Sequence, residues 1–289
     1  MPELKDAIVI KNLSKQYKDF KLDNISFHVQ KGTIMGFVGE NGAGKTTTIK
    51  AILNLIHADS GEISVLGSAA GELSRDLKAQ IGVVFDGSSL HDSLNIKDIN
   101  LIMKNIYSNW QENTFFGYCS RFSIPVKKSV KEFSRGMKMK LTIAIALSHQ
   151  SKLLVLDEAT SGLDPMVRDE ILDIFLEFIQ EEDHTIFLSS HIISDIEKIA
   201  DYVTFIHQGR IIFSESKDDL IYQYGVIRCG KDEVAGIDRA FTVGIRENSF
   251  GAEVMIKDKD KFQRLYHGYN IEKTSIEEIM LFISRRKEY

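Results

Sequence analysis

The chain has 289 residues, 43% hydrophobic and 27% charged, and its 36 Lys and Arg against 41 Asp and Glu leave a formal charge of −5. That balance fits a folded chain of one large or two modest domains, and it counts against a nucleic-acid reader, whose affinity would come from basic residues on phosphates. Cys119 and Cys229 form neither a metal motif nor a disulfide framework. No apolar run nears the roughly 18 residues that span a bilayer, and MPELKDAIVIKN carries charge where a signal peptide needs its apolar stretch. Integral membrane and cysteine-stapled secreted proteins are thereby excluded.

In chain order, Ile8 and Ile10, then Ile25, Phe27 and Val29, recur with a period of two and predict antiparallel strands. Lys31-Gly32 signals a turn before IMGFVG, an apolar run that suits a strand covered on both faces of a parallel sheet. A glycine-rich loop follows, then a helix whose apolar positions include Ile49, Ile52, Leu53 and Ile56. Three more short runs predict buried strands: IGVVF (81–85), LLVL (153–156) and TIFL (185–188). They end at Asp86, at Asp157-Glu158 and at Ser189-Ser190-His191. Ligands of open α/β sheets sit beyond the carboxyl ends of the strands, so Gly39, Asp86, Asp157 and His191 are expected around one crevice.

Between about residues 90 and 150 the pattern is helical, with Pro125 in a connection. Asp164-Pro165 supplies an N-cap and a first helical residue for a helix with Ile171, Ile174, Phe175 and Phe178 on its apolar face. Ser194 and Glu197 read as the capping box of another short helix. From residue 223 the texture changes. VIRCG, FTVGIREN and AEVMIKD predict short strands, KFQRLY a short helix, and Ile276, Ile279, Met280 and Ile283 the stripe of a last helix. The expected division is 1–222 and a small α+β appendage, 223–289.

GENGAGKT (39–46) matches G-x-x-x-x-G-K-[ST] between a strand and a helix. Gly42 and Gly44 let backbone N–H groups turn inward around phosphate oxygens at a helix N-terminus. Lys45 is expected between the β- and γ-phosphates, and the Thr46 hydroxyl on Mg²⁺, a hard cation that takes oxygen ligands. The loop as a whole, Gly39, Glu40, Asn41, Gly42, Ala43, Gly44, Lys45, Thr46 and Thr47, is the expected cradle. In LLVLDE, Asp157 can hold the Mg²⁺ shell, and Glu158, one residue further out, can polarise the water that attacks the γ-phosphate.

The order of GENGAGKTT, FSRGMK (133–138), LLVLDEATSGLD (153–164) and SSH (189–191) resembles the ATP-binding subunit of an ABC transporter over roughly residues 5–222. More narrowly it is similar to the ATPase subunits of bacterial ABC-2-type exporters, including the bacitracin-resistance type. The resemblance implies an α/β P-loop NTPase fold with an antiparallel β subdomain and a helical insert. It implies ATP and Mg²⁺ as cofactors and a head-to-tail pair of ATPase domains, of two copies or of related chains, with two ATPs between them. Ser134 and Gly136 would cap the γ-phosphate held by the opposite subunit's loop, and Asp164 would communicate across that interface. His191 would orient water and Glu158, and Tyr17 would stack on adenine.

Permease subunits are the implied partners, with the chain peripheral on the cytoplasmic face of the membrane. Family analogy puts their docking surface after Asp86, where Leu90, Leu94, Ile106, Tyr107 and Trp110 supply contacts or insert core. Arg285, Arg286 and Lys287 could touch an anionic membrane surface, although the last helix packing on its own domain is the preferred reading. The competing classes are a soluble ATPase acting on DNA or ribosomes and a regulatory ATPase of low turnover.

Two positions depart from the family pattern. Asp86 stands where a glutamine that contacts Mg²⁺ is usual; it is shorter, charged and lacks the amide donor. Its expected role is a metal-linked sensor with altered Mg²⁺ dependence. Arg135 replaces a glycine and Met137 a glutamine in the signature, so Arg135 could add charge to the composite site or form an interface ion pair.

Overall fold

The computed structural model describes residues 5–87 and 90–284. The chain divides into two compact units, Met1–Ser214 and Glu215–Tyr289. In the first, β1 (Asp6–Gln16) and β2 (Lys21–Gln30) form an antiparallel pair, and β3 (Ile34–Val38) leads through the glycine-rich loop into α1 (Lys45–Ile52). Then come β4 (Ser60–Val65), β5 (Ser68–Ala69), the short α2 (Arg75–Lys78) and β6 (Ile81–Val84). Three helices follow: α3 (Ile96–Ile106), α4 (Glu112–Arg121) and α5 (Arg135–Leu147). The unit is completed by β7 (Leu153–Asp157), α6 (Pro165–Phe178), β8 (Thr185–Ser190), α7 (Ile193–Ile199), β9 (Tyr202–His207) and β10 (Arg210–Ser216).

These strands make two sheets. One is antiparallel, in the order β2-β1-β4-β5; the other has six strands, β10-β9-β3-β8-β7-β6. In the second, β3 is parallel to β8 and β9, and β7 is parallel to β8 and β6. Every residue of β3, β7 and β8 is buried, the outcome expected for apolar runs with no polar face. Phe27, Phe37 and Phe187 stack with centroids 5.3–5.8 Å apart, and with Ile8, Ile10, Ile49, Ile52 and Val155 they form one core between the two sheets. Because β3, β8, β7 and β6 run in one direction, their carboxyl ends line one edge of the sheet.

Helix α7 packs on β3 and β8, and α5 on β6 and α4. Tyr107 and Trp110 are inside the helical region: Tyr107 stacks on His149 at 4.1 Å, and the Trp110 indole donates to Asn100 Oδ1. The exposed apolar residues of α3 are Leu101, Ile102 and Ile106.

The structure corrects several details. Helix α1 ends at Ile52, so Leu53 and Ile56 pack on the core from beyond it. The Ser194–Glu197 pair does not start α7: the N-cap is Ile192, and Ser190 Oγ accepts from Ile192 N–H. Strands β9 and β10, joined at Gln208-Gly209 with both residues at positive φ, were not anticipated.

The second unit begins at Glu215 rather than at residue 223, because α8 (Lys217–Gln223) packs on the helices of that unit. It continues with β11 (Gly225–Cys229), β12 (Thr242–Glu247), β13 (Ala252–Ile256), α9 (Lys259–Leu265), β14 (Ile271–Glu272) and α10 (Ile276–Ser284). Its sheet, β12-β13-β11-β14, surrounds a core of Ile227, Val254, Ile256, Phe241 and Phe262. The buried positions of α10 are Ile276, Ile279 and Phe282; Met280 and Ile283 are only half-buried. Arg285, Arg286 and Lys287 lie outside the described residues.

Candidate active site

The loop between β3 and α1 is shaped by its glycines. Gly42 and Gly44 have φ of 81° and 118°, and a Cβ on Gly44 would lie 2.6 Å from Leu22 Cδ2 and 3.0 Å from Phe20 Cζ. A side chain at Gly44 is therefore excluded by both backbone and space. Gly39 and Ala43 are buried, Glu40, Asn41 and Thr46 are exposed, and Thr47 is half-buried. The first N–H groups of α1 lack intrahelical partners and face the loop, an anion-binding arrangement.

Two chains of polar contacts converge on this loop. In one, the Thr46 hydroxyl donates to Asp157 Oδ2 at 2.8 Å, and the Ser189 hydroxyl donates to Asp157 Oδ1 at 2.6 Å. Asp157 ends β7 and Ser189 lies beside it on β8, so sheet register places the carboxylate in front of α1. In the other, Lys45 Nζ donates to the carbonyls of Gly39 (2.7 Å) and Glu40 (3.2 Å). The same ammonium lies 3.2 Å from Glu158 Oε1, an ion pair without hydrogen-bond alignment that leaves Oε1 buried and unbonded. Glu158 Oε2 accepts from His191 Nδ1 at 2.6 Å, in the tautomer protonated there.

Glu158 has a left-handed backbone, φ 54°. That conformation costs a non-glycine residue of order 1–3 kcal/mol. It is held by Glu158 N–H, which lies 3.1 Å from Ser189 O and 3.3 Å from Ser189 Oγ. Ser189 thus supports both acids. The sequence alone gives Ser189 no role; its one signal is a hydroxyl at the end of an otherwise apolar buried strand.

The remaining candidates stand apart from these chains. Ser134 and Asp164 are N-caps: Ser134 Oγ accepts from Met137 N–H at 3.2 Å, and Asp164 Oδ1 from Val167 N–H at 3.1 Å. Gly136 lies in the first turn of α5, where an added Cβ would meet Val167 at 3.6 Å, an ordinary contact. Asp86 pairs with Arg135 within the subunit, Oδ1 to Nη2, at 2.8 Å, a partner that neither expectation for Arg135 included. Tyr17 is 42% exposed in the β1–β2 turn, while Phe20 is the ring that a side chain at Gly44 would meet.

Asp195, buried on α7 and beside Arg168 (3.4 Å), was also missed. Burial pushes its carboxyl above the usual range, against the pull of Thr160 and Arg168. Among the described residues, no cluster of three or more His, Cys, Asp or Glu is arranged to hold a metal.

A parallel sheet with a lysine-bearing glycine loop after β3 and a paired Asp-Glu at the end of β7, two strands away, defines a P-loop nucleotide-binding ATPase. Residues 22–161 match the ABC transporter family. The bacitracin transport ATP-binding protein BcrA of Bacillus licheniformis is 37% identical over 204 residues, covering 70% of this chain and 67% of that protein. The lantibiotic transport ATP-binding protein SrtF of Streptococcus pyogenes is 37% identical over 212 residues, covering 72% and 90%. A solved ATP-binding subunit of an ABC transporter superposes with a TM-score of 0.68 at 26% identity, covering 75% of this chain and 92% of that one. The chain belongs to the ABC transporter family as an ATP-binding ATPase subunit.

Proposed function

We propose that this chain binds Mg-ATP on the Gly39–Thr47 loop and hydrolyses it in a head-to-tail pair of ATPase subunits, driving export through separate membrane-spanning subunits. The observation that carries the reading is the convergence of Thr46–Asp157–Ser189 and Lys45–Glu158–His191 on one loop. An entering γ-phosphate displaces Glu158 from Lys45 Nζ, since both anions compete for one ammonium. The freed carboxylate, still oriented by His191, then accepts a proton from water as its oxygen attacks the γ-phosphorus. The bond from that phosphorus to the bridging oxygen breaks, giving ADP and phosphate.

The Thr46 hydroxyl and Asp157 carboxylate are the hard-oxygen donors that fit Mg²⁺, which usually keeps several waters and takes one or two carboxylates plus phosphate. When bound, the ion neutralises charge on the β- and γ-phosphates. Asp86, at the end of the strand beside Asp157, is assigned a water-mediated contact on this side of the site. Ser134 and Gly136, in the exposed first turn of α5, and Asp164 meet the nucleotide of the second subunit; Tyr17 stacks on adenine.

No helix among the described residues is long and apolar enough to cross a membrane. The motion acts on separate permease subunits, with this chain peripheral at the cytoplasmic face, a reading supported by relatives named as transport ATP-binding proteins. The relatives named for bacitracin and lantibiotic transport point to a peptide antibiotic as cargo. The test is phosphate release by the full chain and E158Q, together with identification of proteins that co-purify from membranes. Loss of turnover in E158Q and recovery of membrane subunits support the reading; equal rates, or recovery of nucleic acid instead, would overturn it.

A further inference from the structure

Asp86 and Arg135, both read from the sequence as departures from the family pattern, are bonded to each other across 49 residues of chain. Arg135 is the first residue of α5, directly after the N-cap Ser134. Its guanidinium also lies against Gly162, in the turn before α6, where a Cβ would be 2.5 Å from Nη1. Gly162 has φ +66°, so its backbone calls for glycine, and the bare Cα leaves room for the guanidinium. One side chain, rooted in the first turn of α5 between Ser134 and Gly136, therefore reaches two other segments: Asp86 just beyond β6, and the turn that leads to Asp164.

The setting is that of an adjustable contact. Both side chains are more than half exposed, and they line an open cleft of about 430 Å³ with Phe85, Phe133 and Lys138. Lys138 faces Asp92 at 3.2 Å, which leaves Arg135 as the cation paired with Asp86. Exposed ion pairs contribute little to stability and are screened by salt. The pair can therefore orient a helix end while remaining easy to break.

We propose that Arg135 is a positioning residue: paired with Asp86 and seated on Gly162, it sets the signature turn and the Asp164 turn in the placement from which they close on a second subunit's nucleotide. The inference rests on the proposed function, because it presumes ATP-driven pairing of ATPase subunits. It assigns Arg135 no contact with phosphate.

The test measures ATP-driven dimerisation of the full chain by sedimentation in the E158Q background, with steady-state ATPase in the otherwise native background. Arg135→Gln is expected to raise the ATP concentration for half-maximal dimerisation, and KM, by about fivefold or more, the scale of a modest coupling between sites. Turnover at saturating ATP should change less than KM. Arg135→Lys, which keeps the charge, should stay within about threefold of wild type, and Asp86→Asn combined with Arg135→Gln should weaken dimerisation by less than the product of the two single effects, since the two share one contact. The thermal midpoint should move by less than about 2 °C, since the pair is exposed.

An unchanged ATP midpoint in R135Q, a lysine as impaired as glutamine, or independent multiplication of the two single effects would each overturn the inference. So would loss of activity that simply tracks a lowered thermal midpoint. Failure of E158Q itself to dimerise with ATP would instead overturn the function on which the inference rests.

Discussion

Lys45 and Asp157 are 6% and 4% exposed and each has several bonded partners, whereas Arg135 and Asp86 are 55% and 51% exposed and share one contact. The first pair is set by the parallel sheet and by a helix that starts on a glycine; the second sits at the mouths of two segments with water on one side. The difference follows from what each group is proposed to meet. Residues that hold a subunit's own nucleotide can be preorganised inside its fold, and burial strengthens their electrostatics. A pair that only positions a turn for a second molecule can stay exposed and adjustable until that molecule arrives.

The contrast can be broken most sharply at Glu158. E158Q is expected to lower phosphate release by about 10²- to 10⁴-fold while ATP binding persists, the range for loss of a general base. Rapid-quench turnover beside a nucleotide-binding assay checks this, and normal turnover would remove Glu158 from the chemistry. Phe37→Ala attacks the scaffold instead. Opening a hole in the Phe27–Phe37–Phe187 stack should cost about 3–5 kcal/mol in urea unfolding. A loss under about 1 kcal/mol would mean that the core collapses around the gap.

Ser134 separates a cap from a cross-subunit contact. Ser134→Ala should lose about 1 kcal/mol of stability, because Met137 N–H loses its acceptor. Ser134→Asp retains a good cap, yet it should weaken ATP-driven dimerisation by about tenfold or more if a partner's phosphate comes to that turn. Native dimerisation in S134D, followed by light scattering, would contradict the cross-subunit role.

The smallest effect is expected at Asp195, whose carboxyl is raised by burial. The folded protein therefore holds this proton more tightly than the unfolded chain. The resulting stabilisation is complete below the ordinary carboxylate pKa and is lost as pH rises through the raised folded value. Urea unfolding of wild type and D195N between pH 4 and 7 should show the wild type losing ground as pH rises; parallel curves would exclude the shift.

The loop was legible because its chemistry is local: GENGAGKT fixes turn, helix start and ammonium within eight consecutive residues. The strands ending at Asp157 and Ser189 were legible from their apolar runs, whose length and abrupt polar ends leave few alternatives. Helix starts were less secure. Asp164 and Ser134 cap as their residue types allow, but the Ser194–Glu197 pattern was overruled by Ser190, which is already held in a strand. Ser189 showed only a hydroxyl at the end of an apolar strand; which acids it would serve was not local, since its partners lie more than thirty residues away in sequence.

By itself the sequence determined the phosphate loop, the buried parallel strands and the family, because spacing and periodicity are written in neighbouring residues. Only the tertiary structure decided that Thr46 meets Asp157 across 111 residues and that Arg135 meets Asp86 across 49. Such meetings depend on strand order and helix placement, which no stretch of neighbouring residues specifies.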